Sequence, residues 1–205
     1  MPLLDYMQAK KLLDRYGIRS VDAKYVNSAD DAVKFSAGKK IVLKLISEKA
    51  LHKSKAGLVK LDLESEKEIA SAYAELLRKG KKLRPYKMLA QKMAEDGVEI
   101  IIGGNTDKQF GKMILLGLGG IYVEAFKDVQ LRVCPITRGD AVDMISELKS
   151  GKVITYDGRS KERIVKLLLS VSKLLTNNKN VAELDLNPVI VRPGSYDVVD
   201  IRAIV

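Results

Sequence analysis

Lys44 sits inside the apolar run Ile41-Val42-Leu43-Lys44-Leu45-Ile46. A lysine rarely occupies such a run unless its charge finds a partner. Eight residues on comes His52, the only histidine in the chain, followed by Lys53, Lys55, Ala56 and Gly57. A strand that delivers a lysine, then a cationic glycine-containing loop with a histidine, suits a polyphosphate and a phosphoryl acceptor. Positive surroundings would stabilise an anionic phosphohistidine. An edge strand with a snorkelling lysine and a solvated loop accounts for the same residues.

A second set lies near the C-terminus. In Glu183-Leu184-Asp185-Leu186-Asn187 the polar residues fall at i, i+2 and i+4. That spacing puts them on one face of a strand, with Leu184 and Leu186 on the other. Asp200 is expected on the partner strand, within Val198-Val199-Asp200-Ile201. Oxygen donors from two neighbouring strands are what Mg²⁺ accepts, alongside waters and phosphate oxygens. A solvated acidic face is the alternative.

Weaker signals lie between. Gly117-Leu118-Gly119-Gly120 lacks the Gly-Lys-Ser/Thr of a Walker A loop, and a tight turn explains it equally well. Gln91-Lys92-Met93 has the place of a hinge whose backbone could read adenine. Glu99 and Glu124 are single carboxylates beside apolar strands, a pattern more often structural than catalytic. No Ser/His/Asp set assembles, and Cys134 has no histidine nearby, so acyl transfer by a nucleophile–base pair has no support.

The elements that must carry these residues can be read in outline. Asp5 to Tyr16 has helical apolar spacing, with Gly17 as C-cap. Ser28 caps a second helix with acids in its first turn. After the strand through Lys44, Val59 to Leu63 alternates as a half-buried strand does. Ser65 and Glu68 form a capping box for a helix running to Lys79-Gly80. Strands are expected over 87–93 and 98–103, with turn residues Ala94 to Gly97 between them. A strand over 112–118 follows, then a helix from Gly139-Asp140 to Lys149 and one capped by Ser160 to Leu175. Residues 181–191 and 196–205 read as paired strands. The order suits an α+β or α/β protein of two lobes meeting near residue 95.

Composition narrows the class. The chain has 205 residues, 46% hydrophobic and 30% charged. One cysteine excludes an internal disulfide and a cysteine-only metal cage, and fits a reducing compartment. No run approaches about 18 apolar residues and no signal segment is evident, so a cytoplasmic location and no membrane partner are expected. The net charge of +10 draws anions. Dense charges of both signs point to a thermophile.

The chain resembles the ATP-grasp β subunit of ADP-forming acyl-CoA (acetyl-CoA) synthetases, archaeal relatives of succinyl-CoA synthetase. The resemblance runs from Ala9-Lys10 and Tyr16-Gly17-Ile18 through Val42-Leu43-Lys44, Leu51-His52-Lys53-Ser54 and Gln91-Lys92-Met93. It continues with Gly97-Val98-Glu99, Phe110-Gly111, Gly117 to Ile121, Arg132 and Pro135. It ends with Glu183-Leu184-Asp185-Leu186-Asn187-Pro188 and Asp200-Ile201-Arg202. One departure is Gly57-Leu58-Val59, where the family usually has Gly-Gly-Val. A leucine there would block close approach of the backbone to phosphate.

The resemblance implies a two-lobed ATP-grasp fold of the α/β (α+β) class. Residues 1–95 would form the lobe with the phosphate loop and His52, and residues 96–205 the lobe with the metal-binding strands. It implies that Lys44, Lys55, Gly57, Gln91, Lys92, Met93 and Glu99 bind the nucleotide, ATP or ADP. Asn187, Asp200 and Asp185 would hold Mg²⁺. His52, with Asp185 near it, would take a phosphoryl group from a phosphohistidine and pass it to ADP. The partner would be an α subunit carrying the CoA site and the first phosphohistidine, in an α2β2 assembly. Two alternatives stay open: an ATP-grasp domain of another ligase or a regulator, and a basic nucleic-acid-binding module. Against the latter, the tyrosines and phenylalanines are scattered with no base-stacking motif, so no nucleic acid is expected.

Overall fold

A computed structural model describes residues 2–47, 49, 57–119 and 128–205. The chain divides into two compact units, residues 21–93 and residues 1–20 with 94–205. The first helix, α1 (Tyr6–Asp14), starts at Asp5, whose Oδ1 accepts from the Met7 N–H at 3.0 Å, while Gln8 Oε1 accepts from the Asp5 N–H at 3.1 Å. Such reciprocal capping satisfies amides that the first turn leaves without partners. Expected in the same lobe as Lys44, α1 instead joins the unit of residues 94–205. The Leu4 N–H donates to the Ala203 carbonyl at 2.8 Å, and Leu3 bridges Ile204. The physical reason is non-local: the two ends of the chain pair with each other.

The unit of residues 21–93 contains β1 (Ala23–Tyr25), α2 (Ala29–Ser36), β2 (Ile41–Ile46), β3 (Val59–Leu63), α3 (Glu66–Gly80) and β4 (Lys87–Lys92). Its sheet is antiparallel in the order β1-β4-β2-β3. Both helices begin where the sequence signals them. Ser28 Oγ accepts from the Asp31 N–H at 3.0 Å, and Ser65 and Glu68 cap each other's amides. The core face of the sheet carries Ile41, Leu43, Leu45, Met88 and Ala90, packed with Ile69, Ala72 and Leu76 of α3. β3 departs from the expected alternation. Asp62 has φ +56°, the β2–β3 register shifts between Ile41 and Leu43, and Leu61 stays exposed. A bulge adds one residue to the strand and breaks the two-residue period.

The other unit continues with β5 (Val98–Asp107), β6 (Gly111–Leu118), β7 (Val129–Val133), α4 (Arg138–Glu147), α5 (Gly151–Ile154), α6 (Ser160–Asn177), β8 (Glu183–Arg192), β9 (Ser195–Val198) and β10 (Ile201–Ile204). The sheet order is β10-β8-β5-β6-β7, and β9 pairs β8 beyond the end of β10. The closing pair of strands read from the sequence is therefore three strands. α6 buries Ile164, Leu168, Val171 and Leu175. Gly104 of β5 allows this packing: a Cβ there would lie 2.6 Å from Leu175 Cδ1. Ser160 is not the cap of α6. Asp157 Oδ1 accepts from the N–H groups of Arg159 and Ser160 at 3.2 and 2.9 Å. The Ser160 hydroxyl is free to donate to the Arg192 carbonyl at 3.1 Å. No described helix is long and apolar enough to cross a membrane.

Candidate functional site

In the unit of residues 21–93, β2 alternates. Ile41, Leu43 and Leu45 face α2 and α3, so Val42 and Lys44 face the other way. β2 is an inner strand, between β4 and β3, which removes the edge-strand reading of Lys44. Across β4, Lys44 lies opposite Leu89 and Val42 opposite Gln91. Lys44 and Gln91 thus share one face, at 5% and 1% exposure. The Lys44 side chain therefore leaves from a buried strand face and not from a sheet edge.

The expected hinge is partly committed to the sheet. The Lys92 N–H donates to the Asp22 carbonyl at 2.9 Å and the Met93 N–H to the Lys40 carbonyl at 3.0 Å. The Lys92 ammonium donates to the Phe35 and Ser36 carbonyls, both at 2.6 Å, and lies 4.9 Å from the centre of the Phe35 ring. It therefore closes the C-terminal end of α2, where free carbonyls attract cations. Burial, with Lys39 nearby, pushes its pKa down.

His52, Lys53 and Lys55 lie outside the described residues, as does Glu124. The chain on either side of the His52 segment is well anchored. The Ser47 hydroxyl donates to the Leu83 carbonyl at 2.6 Å, with the Pro85 carbonyl 3.0 Å away. Gly57 has φ +63°, a conformation glycine adopts without a steric penalty. Its carbonyl accepts from Lys79 Nζ at 2.9 Å. Lys79 pairs in turn with Glu75 at 3.0 Å, and Glu75 with Lys60 at 2.6 Å. Hydrogen bonds from Lys60 and Lys79 bring the Glu75 pKa down to about 2. This triad was not read from the sequence, although Glu75 and Lys79 stand four apart on a helix. Leu58 does not block the backbone. Its side chain is 1% exposed inside the core cluster, and its carbonyl accepts from the Leu45 N–H at 2.9 Å.

In the other unit, β8 carries Leu184 and Leu186 on its buried face. Asp185 pairs across with Gly103 on one side and Arg202 on the other. Glu183 shares its face and meets Arg202 at 3.2 Å. One expectation needs correction here. Asp200 lies not on a strand but in the link between β9 and β10. Its carbonyl accepts from the Asn187 N–H at 3.3 Å, so the two residues still meet. The register of β5 against β8 shifts between Ile100 and Ile102, so β8 has an extra residue between Leu186 and Val189. Burial alternates as expected through Glu183, Asp185 and Asn187, and the extra residue interrupts the period only after them, at Pro188. Burial, then the charges of Asp200 and Glu183, push the Asp185 pKa up. A cation would relieve that repulsion, and the donors (two carboxylates and an amide) are the oxygen ligands Mg²⁺ prefers. Among the described residues, no three Asp, Glu, His or Cys side chains form a metal cluster.

Glu99 is exposed on β5, one residue before fully buried Ile100. Its carbonyl accepts from the Gly119 N–H at 2.7 Å, and a Cβ on Gly119 would lie 2.9 Å from Glu99 backbone. Gly117 and Leu118 end β6, so within the described part of the glycine run these residues serve strand packing.

Comparison with known proteins extends this geometry. The ATP-grasp domain family matches residues 2–205. The β subunit of ADP-forming acetate–CoA ligase II of Pyrococcus furiosus is 39% identical over 204 residues, which cover 94% of this chain and 86% of that one. The chain belongs to the ATP-grasp family of ADP-forming acetate–CoA ligase β subunits. Another ATP-grasp relative, ADP-forming acetate–CoA ligase I of Archaeoglobus fulgidus, is 39% identical over 203 residues, but this chain spans only 30% of its length. Among solved structures, acetyl-coenzyme A synthetase 1 of Ca. Korarchaeum cryptofilum, in complex with coenzyme A and Ca-AMPCP, superposes with a TM-score of 0.92 at 39% identity, over 99% of this ATP-grasp chain and 93% of that one. A further structure of that synthetase, with coenzyme A and Mg-AMPPCP, has its phosphohistidine segment pointing towards the nucleotide-binding site.

Proposed function

We propose that this chain is the nucleotide-binding half of an ADP-forming acyl-CoA synthetase. The net reaction is acyl-CoA + ADP + phosphate to acid + CoA + ATP. The observation that carries the reading is Lys44, a lysine 5% exposed on an inner strand and sharing a face with buried Gln91. An ammonium on such a face would meet phosphate oxygens as a point charge. The comparisons support the reading, since a relative of the same family binds Mg-AMPPCP.

Lys44 would bind the nucleotide phosphates, with Lys55 and Gly57 at the loop beside them. Gln91 to Met93 would hold the base, and Glu99 would face the nucleotide. With the Lys92 and Met93 amides bonded within the sheet, backbone carbonyls are the groups of this stretch that would read adenine. Asp185, Asn187 and Asp200 would hold Mg²⁺, which neutralises charge on the phosphates when bound.

His52 is the proposed relay. A ring nitrogen attacks the phosphorus of a phosphohistidine on the partner subunit, and the partner's imidazole leaves. A terminal oxygen of ADP then attacks the His52 phosphoryl group, the P–N bond breaks, and His52 is restored. Transfers of this type need strict positioning more than covalent chemistry from the protein. The partner would carry the CoA site and the first phosphohistidine, in an α2β2 enzyme working in the cytoplasm.

The test is to combine this chain with its partner subunit, acyl-CoA and labelled phosphate. Acid-labile label should appear on this chain, and His52→Ala should abolish both label and ATP formation while Mg-ADP binding by calorimetry stays near that of the parent. ATP formation at the parent rate by His52→Ala would end the relay proposal. Absence of any heat with millimolar Mg-ADP would end the nucleotide assignment.

A further inference from the structure

The chain passes between its two units twice, once after Ser20 and once after Met93. Both passages are tied, on the side of residues 94–205, to one short stretch around β9. On the first passage, Arg19 Nε meets Asp197 Oδ1 at 2.9 Å. The Val198 N–H donates to the Arg19 carbonyl at 3.1 Å, Ser20 bridges Val198, and the Arg19 N–H donates to Tyr196 Oη at 3.3 Å. On the second passage, Glu95 pairs with Arg192, and the same guanidinium pairs with Asp197. Asp197 is therefore shared by both ties. It is 5% exposed, while its partner Arg19 is largely exposed. Arg192 lies opposite Ser195 at the turn of the β8–β9 hairpin.

On the side of residues 21–93 the passages are also joined. The Lys92 N–H donates to the Asp22 carbonyl, and the Met93 N–H to the Lys40 carbonyl. What remains between the ties is Val21 on one passage and Ala94 on the other.

We infer that Asp197, with Arg192, is a clasp that fixes both passages at one point and confines bending of the chain to the links at Val21 and Ala94. The chemistry favours a buried aspartate in this place. One oxygen accepts from the Arg192 guanidinium and the other is ion-paired with Arg19, so one side chain bears on both passages. Low exposure strengthens such charge-assisted bonds. The other partner of Arg192, Glu95, is 84% exposed, so that tie is screened and weaker.

Hydrogen exchange read by mass spectrometry on the full chain tests it, using peptides over 17–22 and 93–98. Arg19→Gln should speed exchange in 17–22 alone, by about two- to fivefold, the size expected for an ion pair with one exposed partner. Glu95→Gln should speed exchange in 93–98 alone, by about two- to fivefold as for an exposed ion pair. Asp197→Asn should speed both by those same factors, and Asp197→Glu should restore protection in at least one. Peptides from β5 and β6 should exchange as in the parent in every variant. The clasp is overturned if Asp197→Asn leaves either passage unchanged, or if β5 and β6 speed up as much as the passages. Arg19 and Glu95 are surface positions, so their variants keep the test available should Asp197→Asn fail to fold.

Discussion

Replacing Leu58 with glycine separates two pictures of the loop after His52. If the leucine stood in the way of phosphate, Leu58→Gly would improve nucleotide binding at little cost. In the structure the side chain is 1% exposed among Leu43, Leu45, Ile69 and Leu76, and only the backbone faces the turn. Removing a buried leucine down to Ala costs about 2–5 kcal/mol in transfer and cavity terms. Going on to glycine adds about 0.5–1 kcal/mol of backbone freedom. The sum is roughly 3–6 kcal/mol, and a chain of this size loses about 2–4 °C of melting temperature per kcal/mol. The expected result is a fall on the order of 10 °C by scanning calorimetry, with Leu58→Ala giving most of it. Mg-ADP affinity, titrated well below the transition, should match that of the parent. A melting temperature within about 2 °C of the parent, together with a severalfold gain in affinity, would refute the core placement of Leu58.

Three further outcomes follow from the packing and the charges. Gly104→Ala puts a Cβ against fully buried Leu175 and should cost about 1–3 kcal/mol in urea unfolding; no loss would mean α6 is not seated on β5 as described. Asp185 has its pKa raised, so its ionised form is less stable in the folded protein than in the unfolded chain. In metal-free buffer Asp185→Asn should therefore melt higher than the parent near neutral pH, and that advantage should fade as pH falls through the carboxylate range; a lower melting temperature at neutral pH would contradict the cause given for the shift. Glu75 has its pKa lowered to about 2, so its contribution is present at neutral pH and is lost as pH falls from the ordinary carboxylate range towards 2. Stability curves of the parent and Glu75→Gln should converge over that window, and parallel curves would show that Lys60 and Lys79 do not hold the carboxylate.

The sequence alone determined what depends on neighbours a few residues apart. The caps of α2 and α3, Ser28 and Ser65 with Glu68, are bonds between positions three apart and were legible for that reason. The strand around Lys44 and the opposed faces of Asp185 and Leu184 follow from a two-residue period. The family motifs are likewise contiguous words, such as Glu183 to Pro188. Tertiary structure alone decided the rest. That α1 belongs with residues 94–205 rests on Leu4 meeting Ala203, about as far apart in sequence as this chain allows. That Leu58 points into a core rests on a turn at Gly57 and on residues of α3. The bulge after Asn187 that interrupts the period of β8 shows only in its pairing with β5. The tie of Arg19 to Asp197 joins an exposed arginine to an aspartate that sequence gives no reason to call buried. Local pattern sets each element through short-range bonds and periods, whereas burial and charge pairing are fixed only when distant segments close on one another.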